Sequence, residues 1–159
     1  MTVAREAGQL PHFYNHKPSA RRGYLFAEAT PLYPFGYGLS YTTFQFGAPV
    51  LSSASITAGR GVTVRVPVTN TGKIAGDEVV QVYLRDEVSS VTRPVKELAG
   101  FQRVTLKPGE TRQVDIALPS RVFELWNRDM QRVIEPGDFS IMVGPNSRDL
   151  QSVTLTVTP

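Results

Sequence analysis

The sequence contains no cysteine, which excludes every kind of site that needs a thiolate. Disulfide frameworks, cysteine-ligated zinc, iron–sulfur clusters and a thiol nucleophile are all removed from consideration. Histidine is nearly as scarce, with two in 159 residues. His12 and His16 stand four positions apart, which on a helix would present both rings to one metal ion, but Pro11 and Pro18 disfavour a helix there. We therefore expect no metal site and no cofactor.

An excess of one charge and long apolar runs are also missing. Seventeen Lys and Arg against 14 Asp and Glu leave a net charge of +3, and the longest basic run is the pair Arg21-Arg22, so we expect no nucleic-acid partner. No stretch approaches the ~20 apolar residues of a membrane span, and the first residues lack the apolar core of a secretion signal. We predict a soluble globular chain without a membrane partner, and its cellular location stays unknown.

Aromatic residues are unevenly distributed. Of the 15 (8 Phe, 6 Tyr and 1 Trp), ten lie in residues 1–46. Interspersed prolines and glycines disfavour a helix of ordinary length in this part, while its aromatic content is atypical of disorder. We predict that residues 1–41 form an irregular aromatic-rich segment that folds back over its own domain or covers another domain. Both alternatives stay open, and self-association through this segment is a third consequence of its need for cover.

From residue 42 onward, apolar and polar residues alternate with the period of two that half-buried strands show. The alternating runs lie at 62–69, 80–85, 113–118, 139–143 and 153–157. Pro-Gly turn signals at 107–110 and 135–138 separate several of them. The pattern predicts an all-β fold, an immunoglobulin-like or fibronectin type III-like antiparallel β-sandwich over residues 42–159.

Two local features qualify this expectation. Pro67 lacks a backbone donor, so its strand is expected to lie at a sheet edge or to carry a bulge. Residues 120–125 form the only helical candidate, of one or two turns with Pro119 or Ser120 at its start.

Carboxylates show no arrangement suited to catalysis. Acid–base chemistry at a glycosidic bond needs two carboxyl groups facing each other across a cleft, about 5–10 Å apart. The neighbours in Asp77-Glu78 and in Asp86-Glu87 point to opposite sides of a strand or lie in a loop. Glu124 and Asp129 flank Trp126, the one place where acids and an aromatic ring coincide. We interpret all of these as solvated surface acids and expect no catalytic residue.

Several long runs of residues resemble segments of glycoside hydrolase family 3, and they occur in the same order as in that family. The runs 8–11 and 14–24 resemble the end of that family's second catalytic-region domain, and 33–44 resembles its junction into a fibronectin type III-like domain. The later matching runs are 68–72, 76–81, 93–101 and 136–139. The resemblance covers nearly the whole chain.

This resemblance implies the C-terminal part of a retaining β-glucosidase or β-xylosidase. In that family the aspartate nucleophile lies in an N-terminal barrel and the acid/base usually lies in the following α/β domain, so no catalytic residue transfers to this chain. The implied function is a non-catalytic accessory domain, inactive alone, whose partners are the catalytic domains. The residues expected to contact another domain or face its cleft are His16, Lys17, Arg21 and Arg22, together with the loop 88–94.

An alternative function belongs to a different class. Exposed aromatic rings stack on sugar rings in carbohydrate-binding modules, and Tyr37 and Trp126 are the candidates for such stacking here. Under this hypothesis the partner is a polysaccharide.

Overall fold

Regular structure consists almost entirely of β-strands. The computed structural model describes residues 1–9, 13–18 and 28–159. In chain order the strands are β1 (Phe44–Phe46), β2 (Val50–Leu51), β3 (Ser55–Thr57), β4 (Val62–Asn70), β5 (Gly76–Asp86), β6 (Glu97–Leu106), β7 (Thr111–Leu118), β8 (Leu125–Trp126), β9 (Arg132–Val133), β10 (Gly137–Gly144) and β11 (Gln151–Thr158). The predicted helical turn is a four-residue 3-10 helix, Ser120–Phe123. Within these ranges, no helix is long and apolar enough to cross a membrane.

The strands form two sheets and a small hairpin. In the first sheet, β4 lies between β7 on one side and β1 and β2 on the other. The second sheet has the order β3-β11-β10-β5-β6, and β8 pairs with β9 separately. Among these strands, β3 and β11 alone run parallel to each other. The predicted all-β sandwich is confirmed.

The core uses the apolar half of each alternating run. Along β4 the valines at 62, 64, 66 and 68 are buried, and the residues between them are half-buried or exposed. The other buried side chains of this core cluster are Val80, Val82, Leu84, Val104, Leu106, Val114, Ile116, Leu118, Phe123, Phe139, Ile141, Val143, Leu155 and Val157. Each such burial stabilises the fold by roughly 1.5–3 kcal/mol before entropy is counted.

Pro67 lies in the middle of a sheet, so the prediction of an edge strand is wrong, but the pairing is irregular beside it, since residues 47–49 lie opposite only Val66 and Pro67. Its strand pairs on both sides, and the register with β7 runs without a shift through Pro67 and Gln113. The carbonyl of Pro67 accepts a hydrogen bond of 2.8 Å from the backbone N of Gly47. Because the N and O of one strand residue point to the same side, the missing donor faces the break between β1 and β2. The hydrogen-bond ladder is therefore interrupted between β1 and β2, and β4 itself continues through Pro67.

Asn70 is a fully buried polar side chain that joins the two sheets at one end. Its Oδ1 accepts hydrogen bonds from Thr42 Oγ1 at 2.7 Å and from the backbone N of Gly72 at 3.0 Å. Its Nδ2 donates to the carbonyls of Ile74 at 2.8 Å and Leu106 at 3.0 Å. Since Asn70 ends β4 and Leu106 ends β6, one side chain fixes both sheets and the turn between β4 and β5.

We expect Asn70→Asp to lower the free energy of unfolding by about 2–5 kcal/mol, because two buried carbonyls lose their donor and face a carboxylate. Urea unfolding measures the change. Gln113→Ala, on an exposed position of β7, is the matched control and stays within about 0.5 kcal/mol of the parent. Equal stability of the two variants would contradict the role given to Asn70.

Candidate functional site

The outer faces of the two sheets have opposite character. On the first sheet, Arg65 binds Asp115 through two hydrogen bonds of 2.7 and 2.9 Å, and the hydroxyls of Thr69 and Thr111 lie 2.8 Å apart. These side chains are polar and partly or well exposed, as expected of a face that contacts water.

On the second sheet, the outer face of β5 is buried. Val80, Val82 and Leu84 point into the core, so Gln81 and Tyr83 point outward. Nevertheless Gln81 is 5% exposed and Tyr83 is 0% exposed. The covering chain consists of residues 13–18 and 33–37, and we call these two stretches the cover.

Gln81 binds the cover through its carboxamide. Its Nε2 donates to the carbonyls of Gly36 at 3.0 Å and Pro145 at 2.5 Å, and its Oε1 accepts from Tyr83 Oη at 2.6 Å. Gly36 has a φ of +80°, and a Cβ there would lie 2.0 Å from Gln81 Oε1. Glycine is therefore required at this position by both its backbone conformation and the close approach of Gln81.

Aromatic rings complete the cover. Tyr14 stacks on Phe35 with 4.3 Å between ring centroids and meets Tyr83 edge to face at 5.6 Å. Tyr14 Oη accepts a hydrogen bond from the backbone N of Leu98 at 3.2 Å, and the backbone N of Ser147 donates to Phe35 O at 2.9 Å. Burial, and then the nearby Tyr14, raise the pKa of Tyr83. This part of the aromatic segment thus folds back on its own sandwich.

The predicted contact loop is partly described. The backbone N of Val95 donates to His16 O at 2.8 Å, and Lys17 Nζ donates to Thr92 O at 2.6 Å. The structure therefore brings His16 and Lys17 against the loop 88–94, the other segment predicted to approach a neighbouring domain. Arg21, Arg22 and His12 lie outside the described residues, so the expected basic cluster and the histidine pair stay predictions.

Beside this loop lies Asp86, which the sequence led us to interpret as a solvated surface acid; that interpretation is wrong, because this carboxylate is deeply buried. The side chain of Asp86 is 2% exposed, and its Oδ2 lies 3.6 Å from Arg93 Nη1. Burial raises the pKa of Asp86 more than Arg93 lowers it. Arg93 also binds Glu97 at 2.9 Å. Its guanidinium is thus shared between two carboxylates at the edge of the second sheet.

Among the other acids considered from the sequence, Glu78 is partly buried, and burial raises its pKa against a hydrogen bond from the backbone N of Val79 that lowers it. The remaining acids are held by neighbours or exposed to water. Hydrogen bonds from Thr105 and Arg103 lower the pKa of Asp77. Glu124 forms an ion pair with Arg132, and Asp129 is exposed. Across the described ranges, no three His, Asp or Glu side chains are placed to hold a metal ion.

The two candidate stacking rings lie in different parts of the molecule. Tyr37 belongs to the cover and stacks on Tyr33 at a centroid distance of 5.0 Å. Trp126 lies on the β8–β9 hairpin, where Arg132 Cζ stands 5.9 Å from the ring centroid. Each ring therefore has a neighbour beside one face, and the structure does not bring the two rings together into one platform.

Comparison with known proteins identifies the fold family. The family model of the fibronectin type III-like domain matches residues 78–147. The chain is 50% identical to a β-xylosidase of Formosa agariphila and 44% identical to the periplasmic β-glucosidase of Salmonella typhimurium, matching 99% and 92% of this chain. A β-glucosidase structure from Erythrobacter marinus matches 99% of the chain with a TM-score of 0.94 and 47% identity.

The chain belongs to the fibronectin type III-like domains of glycoside hydrolase family 3. A β-glucosidase from Listeria innocua in complex with glucose has the same fold over the whole chain, with a TM-score of 0.93 and 36% identity. The chain spans only 21–24% of the length of these four proteins. The resemblance seen in the sequence is confirmed, and this fibronectin type III-like chain corresponds to about a fifth of an enzyme of that family.

Buried Tyr83 gives the cover a signature in alkaline solution. Its raised folded-state pKa means that its contribution to stability is complete below the unfolded value of about 10 and is lost as the pH rises through the folded value. We expect an absorbance titration at alkaline pH to show one late tyrosine ionisation that coincides with unfolding. Tyr83→Phe should remove that step. Ionisation of Tyr83 near pH 10 in a chain that stays folded would contradict its burial under the cover.

Proposed function

We propose that this chain is a non-catalytic accessory domain that supports the catalytic domains of a family 3 β-glycosidase. The observation that carries the proposal is the buried outer face of β5. Gly36 of the cover bonds to Gln81 of β5, Tyr14 bonds to Leu98 of β6, and Phe35 bonds to Ser147 after β10. The sandwich is thereby fixed to the chain that precedes it. A supporting domain needs a fixed orientation, which a flexible linker would not give it.

The electrostatics agree with a role outside catalysis. A retaining glycosidase needs one free carboxylate and one carboxyl group of raised pKa about 5 Å apart. The buried acid beside the loop 88–94, Asp86, has a raised pKa but faces Arg93. Its sequence neighbour Glu87 lies 3.3 Å from Arg85 and accepts a hydrogen bond from Ser140. Both members of this acidic pair therefore serve structural contacts.

A chimera tests the supporting role. In the Formosa agariphila β-xylosidase, the segment that matches this chain is either deleted or replaced by this chain. We expect the deletion to be insoluble or rapidly inactivated, and the replacement to restore a soluble enzyme with activity on an aryl β-xyloside. Full stability and activity of the deletion protein would overturn the proposal.

The isolated chain provides the complementary test. Incubated with aryl β-glucoside and aryl β-xyloside, it should release no chromophore above the buffer rate. Release that increases in proportion to the concentration of purified chain, and that Asp86→Asn abolishes, would show that the chain is itself a hydrolase.

A further inference from the structure

Two buried amides hold the ends of a short exposed segment. Gln81 binds the carbonyl of Gly36, and Asn70 accepts a hydrogen bond from Thr42. Residues 37–41 span the distance between these anchors, with Ser40 Oγ near Gly76 at the start of β5. Both anchors are at least 95% buried, so the path of this segment is fixed by the fold.

The fixed segment displays large apolar side chains to solvent. Leu39 is 90% exposed, Tyr41 is 98% exposed and Tyr37 is 41% exposed. We call these three side chains the apolar ridge.

The ridge cannot be explained by the fold of the chain itself. Exposed apolar side chains on monomers are usually scattered singly, and a group of them marks a contact surface. Hydrogen bonds at both ends hold Leu39 and Tyr41 outward although neither side chain gains burial from that position. An ordered segment that exposes large apolar side chains to water is pre-organised for a partner. Its conformational entropy is already lost in folding, so binding does not have to order it.

We propose that the apolar ridge is the surface through which this domain docks on an apolar patch of the catalytic domains of a family 3 β-glycosidase. This inference rests on the proposed function and adds the contact surface to it. The partner is chosen because nearly four fifths of each matching enzyme lies outside this chain. A continuous enzyme of that length supplies the partner surface in every molecule.

Charge supports an apolar partner over an ionic one. No residue of 37–41 is charged, and Asp77 at the start of β5 is paired with Arg103. The outer face of the first sheet carries instead the charged pair Arg65–Asp115. Docking through apolar contact therefore selects the ridge.

The test compares three variants, each made in the isolated chain and in the chimera with the Formosa agariphila β-xylosidase. Leu39→Asp and Tyr41→Asp place charge on the ridge. Val50→Ser changes an apolar residue of similar type, 60% exposed, on the first sheet, and is the matched control. Thermal unfolding of the isolated chain and the half-life of aryl β-xylosidase activity in the chimera are measured.

We expect all three isolated variants to unfold within a few degrees of the parent chain, because the altered side chains are solvent-exposed. In the chimera, each ridge variant should lose activity on the order of tenfold faster than the parent, and Val50→Ser should not. A chimera that is stable but indifferent to both ridge substitutions overturns the ridge while leaving the proposed function intact. A chimera that is never active overturns the proposed function instead.

The same variants distinguish two other possible binding partners of the ridge, a second copy of the chain and a polysaccharide. If light scattering shows the isolated chain to be a dimer that Leu39→Asp dissociates, the ridge binds a second copy and the proposal is overturned. If the isolated chain is retarded in a gel containing soluble glucan and Tyr41→Asp abolishes the retardation, the ridge binds polysaccharide and the proposal is likewise overturned.

Discussion

The hydrogen bonds of the Gln81 carboxamide are the interaction on which the surface of this domain depends. A carboxamide buried without partners costs about 1–3 kcal/mol for each unmet group. The Gln81 carboxamide donates to Gly36 and Pro145 and accepts from Tyr83. Satisfying it requires the chain before the sandwich to lie on β5. The cover is therefore part of the folded domain and not a tether to it.

This constraint links the fold to the proposed role. With the cover bound to the second sheet, the first sheet is left as the polar, water-facing side of the sandwich. The residues between the Gln81 and Asn70 anchors place Leu39 and Tyr41 in solvent. In the proposed role, these side chains face the neighbouring domain.

Much of the fold could be predicted because period-two alternation and Pro-Gly turns are local signals. They predicted β4, β5, β7, β10 and β11 and the sandwich class, and the helical turn at Ser120–Phe123 was expected from its cap residues. Strand β6 and the short strands have no alternating run among those predicted. Pro67 was placed wrongly because sequence shows the loss of a donor but not which neighbour that donor would face. In the folded chain, the gap between β1 and β2 lies on that side.

The site was harder to predict than the fold. Alternation along β5 assigns Gln81 and Tyr83 to the water-facing side, and it carries no sign that another part of the chain covers them. The one available signal was the aromatic excess before residue 46, which required a face to pack on. Which face it chose depends on Gly36, whose missing side chain admits Gln81, and that contact spans 45 residues of sequence.

Amide hydrogen exchange of the isolated chain tests the central claim most directly. The backbone N–H groups of Val95, Leu98 and Ser147 all donate to the cover, namely to His16 O, Tyr14 Oη and Phe35 O. If the cover is part of the fold, these three amides are protected to a degree comparable with the core strand β5. Exchange of all three at the rate of an open loop, while β5 stays protected, would show that the cover is detached in solution and would contradict the account.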